Sequence, residues 1–193
     1  MSDKAIIAIH GAKESGKSTL AKALEYPIYS FAGPIKAMIT TLLMEAGFTL
    51  DKINYWVHDE NGKNEVIPHP INCTCRRLMQ TLGTEWGRNL VNHEVWVNIL
   101  FNKINQWDFP RVVIDDLRFP SEVDGLQLCP HKVLFVKVVR PDQVNADNHA
   151  SEHGLPDEAF DLVIVNDYNT PQKYAYHATI KVLEALNTTI TSS

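Results

Sequence analysis

The stretch from Ala5 to Thr19 reads AIIAIHGAKESGKST, and it decides the fold class. Its first five residues form an apolar run typical of a buried strand, and Gly11 to Ser18 match the pattern G-x-x-x-x-G-K-S. A helix-compatible run follows from Thr19. A strand, a glycine-rich loop and a helix in this order predict a phosphate-binding loop, the P-loop. The alternative is a chance glycine turn before an amphipathic helix.

The loop predicts a bound nucleoside triphosphate. Gly11 and Gly16 lack a Cβ, so the backbone can curl and bring its N–H groups onto phosphate oxygens. The positive end of the following helix points at the same place. Lys17 can reach the β- and γ-phosphates, and the Ser18 hydroxyl can hold Mg²⁺. The predicted donor-binding residues of this segment are Gly11, Lys13, Ser15, Gly16, Lys17, Ser18 and Thr19. The loop does not identify the phosphate acceptor.

Length and composition favour one α/β domain with inserted flaps. The chain has 193 residues, of which 45% are hydrophobic, and a net charge of −5. This charge argues against bulk attraction to a nucleic acid polymer or an anionic membrane. We find no apolar run of membrane-spanning length and no signal-peptide core, so a cytoplasmic protein is expected. The cysteines Cys73, Cys75 and Cys129 form no disulfide framework, and their spacing does not fit a zinc knuckle.

Short apolar runs alternate with helical patterns along the chain. This alternation predicts a five-stranded parallel sheet that helices cover on both faces. The predicted strands are 5–9, 26–32, 111–114, 133–139 and 162–165, and the predicted helices after the first are 35–46, 94–107, 119–126 and 170–186. Residues 76–90 look helical but interrupted by Gly83 and Gly87. Residues 57–75 and 142–158 are predicted to be irregular.

Polar side chains follow several of these strands. Ligands of open parallel sheets bind at the carboxyl ends of the strands. The P-loop should therefore share one edge of the sheet with Asp115, Asp116, Arg118, Arg140 and Asn166. In P-loop enzymes a carboxylate at this place orients Mg²⁺. Strand counting from Ile114 favours Asp115 for that role.

Four further stretches, SFAGPIK at 30–36, R-x-x-x-Q-x-x-GTE-x-GR at 76–88, DLRFPSE at 116–122 and HASE at 149–152, are similar to one family. They resemble the phage-type deoxynucleoside monophosphate kinases, and with the P-loop the resemblance covers most of the chain. It implies a three-layer α/β/α P-loop fold of the nucleoside monophosphate kinase type. It also implies transfer of the γ-phosphate of ATP to a deoxynucleoside monophosphate, giving ADP and a deoxynucleoside diphosphate, with Mg²⁺.

The resemblance also implies roles for individual residues. Lys17, Arg118, Arg140 and Asp116 are expected to be catalytic, and Ser18 and Asp116 to hold Mg²⁺. Asn166 lies in a segment that resembles the adenine-contacting loop of nucleotide kinases. The resemblance implies that Arg76 and Arg88 bind the acceptor phosphate, with Lys36 and Gln80 near that pocket. The expected acceptor-binding set also includes Trp86, Asp115, His149 and Glu152. From the residues alone, Trp86 is either a base-stacking or a core residue, Asp115 a metal or an acceptor contact, and His149 a phosphate contact or solvated surface. Residues 1–193 are then one kinase domain, with an acceptor-binding insert at about 34–108 and a lid-like excursion at about 141–159.

The sequence departs from the family pattern in two places. Gly33 stands where the family often has an acidic residue. The excursion 142–158 contains no Lys or Arg, so the triphosphate clamp would come from Arg118, Arg140 and His149.

Two other functions stay open from the sequence alone. A P-loop kinase for another small metabolite, such as dephospho-coenzyme A, would use the same edge of the sheet. A nucleotide-binding regulatory module is the second alternative, although the segment 102–105 lacks the acid of the guanine-binding N-K-x-D pattern. The expected partners are ATP and a deoxynucleoside monophosphate, with no nucleic acid polymer and no membrane, and a homodimer stays open. A phage-encoded chain would work in the host cytoplasm.

Overall fold

A computed structural model describes residues 4–141 and 155–191. The strands are β1 (Ala5–Gly11), β2 (Ile28–Tyr29), β3 (Val66–Ile67), β4 (Cys73–Thr74), β5 (Arg111–Ile114), β6 (Lys132–Val139) and β7 (Leu162–Val165). The α-helices are α1 (Lys17–Ala23), α2 (Gly33–Glu45), α3 (Leu50–His58), α4 (Cys75–Gln80), α5 (Val95–Gln106), α6 (Pro120–Gln127) and α7 (Pro171–Thr191). A π-helix spans Thr81–Val91, and 3₁₀ turns span Gly62–Asn64 and Asp157–Ala159.

The chain divides into two compact units, of which the first comprises Met1–Ser30 and Leu100–Ser193. Its sheet has the strand order β2-β5-β1-β6-β7, and every neighbouring pair is parallel. β1 lies in the middle, with Ala5 opposite Arg111 of β5 and Lys132 of β6. The predicted five-stranded parallel sheet is therefore confirmed.

The central strand β1 is covered on both faces of the sheet. Successive side chains of a strand point to opposite faces. Ile7 and Ile9 of β1 belong to a core that contains Leu20 of α1 and Val182 of α7. Ile6, on the other face, is also fully buried. A strand buried on both faces explains the continuous apolar run of β1, and the predicted α/β fold with helices on both sides is confirmed.

The second unit comprises Phe31–Ile99. It packs helices and a two-stranded antiparallel ribbon, β3 with β4, around its own hydrophobic core. The fully buried members of that core are Ile39, Leu43, Ile53, Val57, Ile67 and Cys75. The prediction that 57–75 is wholly irregular was wrong, because strands of two residues are too short to give a periodic pattern.

Two predictions about helices also need correction. Residues 75–91 are continuously helical, as α4 and then the π-helix, so Gly83 and Gly87 do not interrupt them. Gly87 instead gives room for the Trp96 ring, because a Cβ at Gly87 would lie 2.4 Å from a carbon atom of that ring. The last helix was predicted to end near Leu186 but continues to Thr191. Within the described ranges, no helix has the length and apolar character needed to cross a membrane.

Candidate active site

The P-loop leads from the end of β1 into α1, and its two glycines are sterically required. Gly16 has a φ of 109°, in the region that favours glycine. At Gly11 a Cβ would lie 2.4 Å from the carbonyl oxygen of Val138 in β6. α1 begins at Lys17, directly after Gly16. The geometry that the motif predicts is present: a tight loop ending at a helix N-terminus.

Lys17 bends back over this loop. Its ammonium group donates hydrogen bonds to the carbonyl oxygens of Gly11 and Ala12, the latter at 2.6 Å. Ser15 is buried, and its hydroxyl oxygen has no hydrogen-bond partner among the residues the structure describes. A polar loop with a helix N-terminus and an ammonium group fits the phosphates of a nucleotide.

Acidic and basic side chains flank the P-loop at the carboxyl ends of β5 and β6. β1 lies between these strands, with Ala8 opposite Ile114 and Gly11 opposite Val138. Asp115 and Asp116, half-buried, follow β5 directly. Further residues at the same ends, both exposed, are Arg118 after β5 and Arg140 after β6. The predicted convergence at one edge of the sheet is therefore present in the first unit, while the catalytic roles stay predictions.

Glu122 supports the turn that carries Arg118. Its buried carboxylate accepts hydrogen bonds from the backbone N–H groups of Arg118, at 2.8 Å, and Phe119, at 3.1 Å. These bonds satisfy free donors at the start of α6, as in a capping box. Glu122 ends the DLRFPSE stretch, but the sequence reasoning assigned it no role. The Glu two residues after Pro120 was the available signal.

His10 was missed by sequence reasoning. It is buried at the end of β1, its Nδ1 lies 2.9 Å from the carbonyl oxygen of Leu117, and its ring stacks on Phe160. A carbonyl can only accept, so Nδ1 carries the proton. Burial lowers the pKa of His10 most strongly, the hydrogen bond to Leu117 partly opposes this by raising the pKa, and the nearby cations of Lys137, Lys17 and Arg118 lower it further. A neutral histidine thus joins β1 to the turn after β5.

Asn166 lies at the carboxyl end of β7, as predicted, and its side chain is engaged with the P-loop. The amide nitrogen donates a hydrogen bond of 2.8 Å to the carbonyl oxygen of Ser15. The residue is 9% exposed. Contact between Asn166 and a nucleotide stays a prediction.

The acceptor-binding residues predicted in 34–108 all belong to the second unit. Arg76 and Gln80 line an open depression of about 600 Å³. The guanidinium of Arg76 donates to the side-chain oxygen of Asn64 at 2.7 Å and to the Glu60 carboxylate at 3.2 Å. The described lining also includes Arg77, Thr81 and Glu85. The structure thus brings Arg76 and Gln80 together, with the Glu60 carboxylate bound to Arg76.

Other predicted residues lie on neighbouring elements of the second unit. Arg88, half-buried, and Trp86, 41% exposed, are on the π-helix, and Lys36, half-buried, is on α2. The Trp86 ring lies against Trp96, with 6.3 Å between their centroids. π-helical segments are rare and are frequently found at functional sites. The role of Arg88 in binding the acceptor stays a prediction.

Two predicted residues, His149 and Glu152, lie outside the described residues, as does most of the lid-like excursion. Among the residues described, no group of three or more His, Cys, Asp and Glu side chains could hold a metal ion. Mg²⁺ does not require such a group, because it binds through one or two protein oxygens plus substrate phosphates. Ser18 at the start of α1 and a carboxylate after β5 provide oxygen ligands beside the P-loop, so these residues fit the ion.

Comparison with known proteins adds a family assignment. The family model for deoxynucleotide monophosphate kinase matches residues 45–174, which begin after the P-loop. The P-loop and this match are therefore separate observations. The deoxynucleotide monophosphate kinase of Enterobacteria phage T4 is 32% identical over 145 residues, covering 66% of this chain and 59% of the relative. The deoxynucleoside-5'-monophosphate kinase of Escherichia phage T5 is 36% identical over 100 residues, covering 49% and 40%.

The chain thus spans about half the length of these curated relatives. Among solved structures, a dephospho-CoA kinase from Campylobacter jejuni is 15% identical with a TM-score of 0.48, covering 94% of this chain and 96% of its own. Because this TM-score is below 0.5, the family assignment rests on the sequence matches alone.

Proposed function

Because this chain belongs to the deoxynucleotide monophosphate kinase family, we propose that it transfers the γ-phosphate of ATP to a deoxynucleoside monophosphate. The products are ADP and a deoxynucleoside diphosphate. The observation that carries this proposal is the P-loop, with Lys17 folded over it, in a chain whose residues 45–174 match the family.

The donor phosphates bind at the P-loop in this proposal. The N–H groups around Gly16 and the start of α1 contact the phosphate oxygens, and the Lys17 ammonium moves from the carbonyls of Gly11 and Ala12 to the β- and γ-phosphates. The hydrogen bonds from Lys17 to these two carbonyls support this role, because they hold the ammonium charge of Lys17 beside the loop. Ser18 and Asp116 would hold Mg²⁺, which would supply positive charge beside the donor phosphates. Asp115 is retained as a further metal or acceptor contact.

The acceptor is held by the second unit. Arg76 and Arg88 are proposed to bind its phosphate, because the planar guanidinium forms paired hydrogen bonds with phosphate oxygens. Gln80, in the same depression as Arg76, is proposed to bind the acceptor as well. Lys36 and Trp86 are proposed to bind the acceptor too. His149 and Glu152, which lie outside the described residues, are kept in the proposed set on the sequence alone.

The reaction then needs positioning and charge neutralisation. An oxygen of the acceptor phosphate attacks the γ-phosphorus, the bond from that phosphorus to the β–γ bridging oxygen breaks, and ADP leaves with the electron pair. The acceptor phosphate is already anionic near neutral pH, so no general base is assigned. Arg118 and Arg140 stabilise the charge on the transferring group. The reactants are small molecules, and the phage sources of the relatives support a role in the host cytoplasm.

A screen of acceptors tests the proposal. ADP release from ATP is measured with each common ribo- and deoxyribonucleoside monophosphate and with dephospho-coenzyme A. We expect turnover with at least one deoxynucleoside monophosphate and none with dephospho-coenzyme A. Lys17→Ala should lose most of that turnover, and Lys22→Ala, an exposed lysine of the same helix, is the matched control. Turnover confined to dephospho-coenzyme A would establish the rival kinase, and nucleotide binding without turnover would favour the regulatory module.

A further inference from the structure

Asn166 connects β6 and β7 to the P-loop. Its backbone N–H donates a hydrogen bond of 2.7 Å to the carbonyl oxygen of Val139, at the end of β6. Its side-chain amide donates at 2.8 Å to the carbonyl oxygen of Ser15. The first bond fixes the backbone of Asn166 on the sheet, so the second fixes the Ser15 carbonyl relative to the sheet.

The contact around Gly16 is closely packed. A Cβ at Gly16 would lie 2.7 Å from the Asn166 amide nitrogen and 2.8 Å from a ring carbon of Tyr174. Tyr174, on α7, is 1% exposed. The peptide between Ser15 and Gly16 therefore has little freedom to rotate while Asn166 and Tyr174 hold these places.

Because the Ser15–Gly16 peptide is planar, a contact that fixes the direction of its C=O group also fixes the direction of its N–H group. In a trans peptide the C=O of one residue and the N–H of the next point in opposite directions. Holding the Ser15 carbonyl toward Asn166 therefore directs the Gly16 N–H away from Asn166. Backbone N–H groups of this loop are the donors expected to meet phosphate oxygens.

We propose that Asn166 is a positioning residue for the donor phosphates: its amide holds the Ser15–Gly16 peptide so that the Gly16 N–H faces the nucleotide. This inference rests on the proposed function only in that the P-loop binds a nucleotide, and it does not depend on which acceptor is used. It gives Asn166 a role that requires no contact with the adenine.

The amide group is chemically specific for this role. An asparagine side chain has two N–H donors, whereas an ionised aspartate of nearly the same shape only accepts. Asn166→Asp would place an acceptor against the Ser15 carbonyl oxygen, so the peptide would no longer be held. Asn102→Asp makes the same chemical change at an exposed position of the same unit and is the matched control.

The test measures ADP affinity in the presence of Mg²⁺, by calorimetry, together with thermal unfolding without nucleotide. We expect Asn166→Asp to bind ADP more weakly by on the order of tenfold, the usual effect of one lost buried hydrogen bond. Asn102→Asp should bind as the wild type does. If Asn166→Asp does not fold, Asn166→Ala removes the donor without adding a charge, and the same loss is expected.

A second readout reports the peptide itself. The chain has nine glycines, so a ¹⁵N-glycine-labelled protein gives few amide signals. In the wild type the Gly16 signal should shift when ADP binds, and in the Asn166 variant this shift should be reduced while the Gly47 signal is unaffected. Unchanged ADP affinity in a folded Asn166 variant, or a normal Gly16 shift, would overturn the proposal. A wild type that binds ADP yet phosphorylates no deoxynucleoside monophosphate would refute only the proposed acceptor.

Discussion

The indole N–H of Trp96 donates a hydrogen bond of 2.8 Å to the carbonyl oxygen of Gly83, inside the π-helix that carries Arg88. Trp96 is 2% exposed, and its ring occupies the space that a side chain at Gly87 would need. One tryptophan therefore contacts the π-helix at two glycines. This places the conformation of the G-T-E-x-G-R segment under the control of a core residue.

Trp96→Phe should destabilise the protein by about 1–3 kcal/mol, because the buried hydrogen bond from Trp96 to the Gly83 carbonyl is lost and the smaller ring fills less of the core. It should also raise KM for the acceptor more than KM for ATP, since Arg88 lies on the affected helix. Urea unfolding and steady-state kinetics measure the two effects. Thr84→Ala, an exposed change in the same helix, is the control. Equal increases in both KM values would argue against a link between Trp96 and the acceptor.

Arg76→Ala and Arg88→Ala should weaken acceptor use while leaving ATP binding nearly unchanged. Both arginines belong to the second unit, whereas the P-loop belongs to the first. Losing a hydrogen bond to a charged group such as phosphate costs on the order of 1.5–3 kcal/mol. ATP affinity without acceptor and the KM for the acceptor are the measurements, and Lys52→Ala, an exposed cation on α3 of the same unit, is the control. If ATP affinity is lost while the KM for the acceptor is unchanged, these arginines serve ATP and not the acceptor.

Asp116→Asn should lower kcat and raise the Mg²⁺ concentration needed for half-maximal rate, and Asp115→Asn should do less. Each change keeps the side-chain shape and removes the charge that an Mg²⁺ ligand supplies. Two adjacent residues at the end of a strand point to opposite faces, so one of them should face the metal. Rates measured against Mg²⁺ concentration rank the two variants. A larger defect in Asp115→Asn would reverse the assignment and favour the strand-counting alternative.

His10 should make the protein less stable in mild acid. Burial lowers the pKa of His10 from its ordinary 6.5. Below pH about 6.5 the unfolded chain therefore takes up a proton that the folded protein resists, so stability is full above that pH. It is lost as the pH falls toward the lowered pKa. Urea unfolding at pH 7.5 and about 5.5 should show this loss in the wild type and a smaller loss in His10→Gln.

Some acid sensitivity should remain in His10→Gln. The pKa of His58 is also lowered, mainly by burial and then by the cations of Lys36 and Lys63. A loss equal to that of the wild type would mean that His10 does not contribute.

The sequence predicted the elements whose pattern is local. The apolar residues of β1 and β5 are buried throughout, which explains their continuous apolar runs. β6 and β7 were recognised from shorter apolar runs, although Lys137 lies within β6 and Val163 and Val165 of β7 are exposed. The P-loop is defined by its glycines and Lys17. The π-helix could not be predicted from the sequence, because α- and π-helices use similar residues. Its contact with Trp96 could not be predicted either, because Trp96 lies outside the helix. The bond between Asn166 and Ser15 joins residues 151 positions apart, so no local pattern encodes it. The capping role of Glu122 was not predicted, because the residue before Pro120 is Phe119 and not the usual Ser or Thr cap.

The interrupted sequence of the first unit has a consequence for synthesis. β1 and its loop leave the ribosome before the other described strands and helices, yet the strands that pair with β1 begin at Arg111 and Lys132, after the whole of the second unit. The second unit is continuous in sequence and can begin to fold during translation, whereas pairing of β1 must wait for distant partners. Since Asn166 follows β7, we expect a nascent chain that stops before β7 to carry the complete P-loop motif and still bind nucleotide poorly.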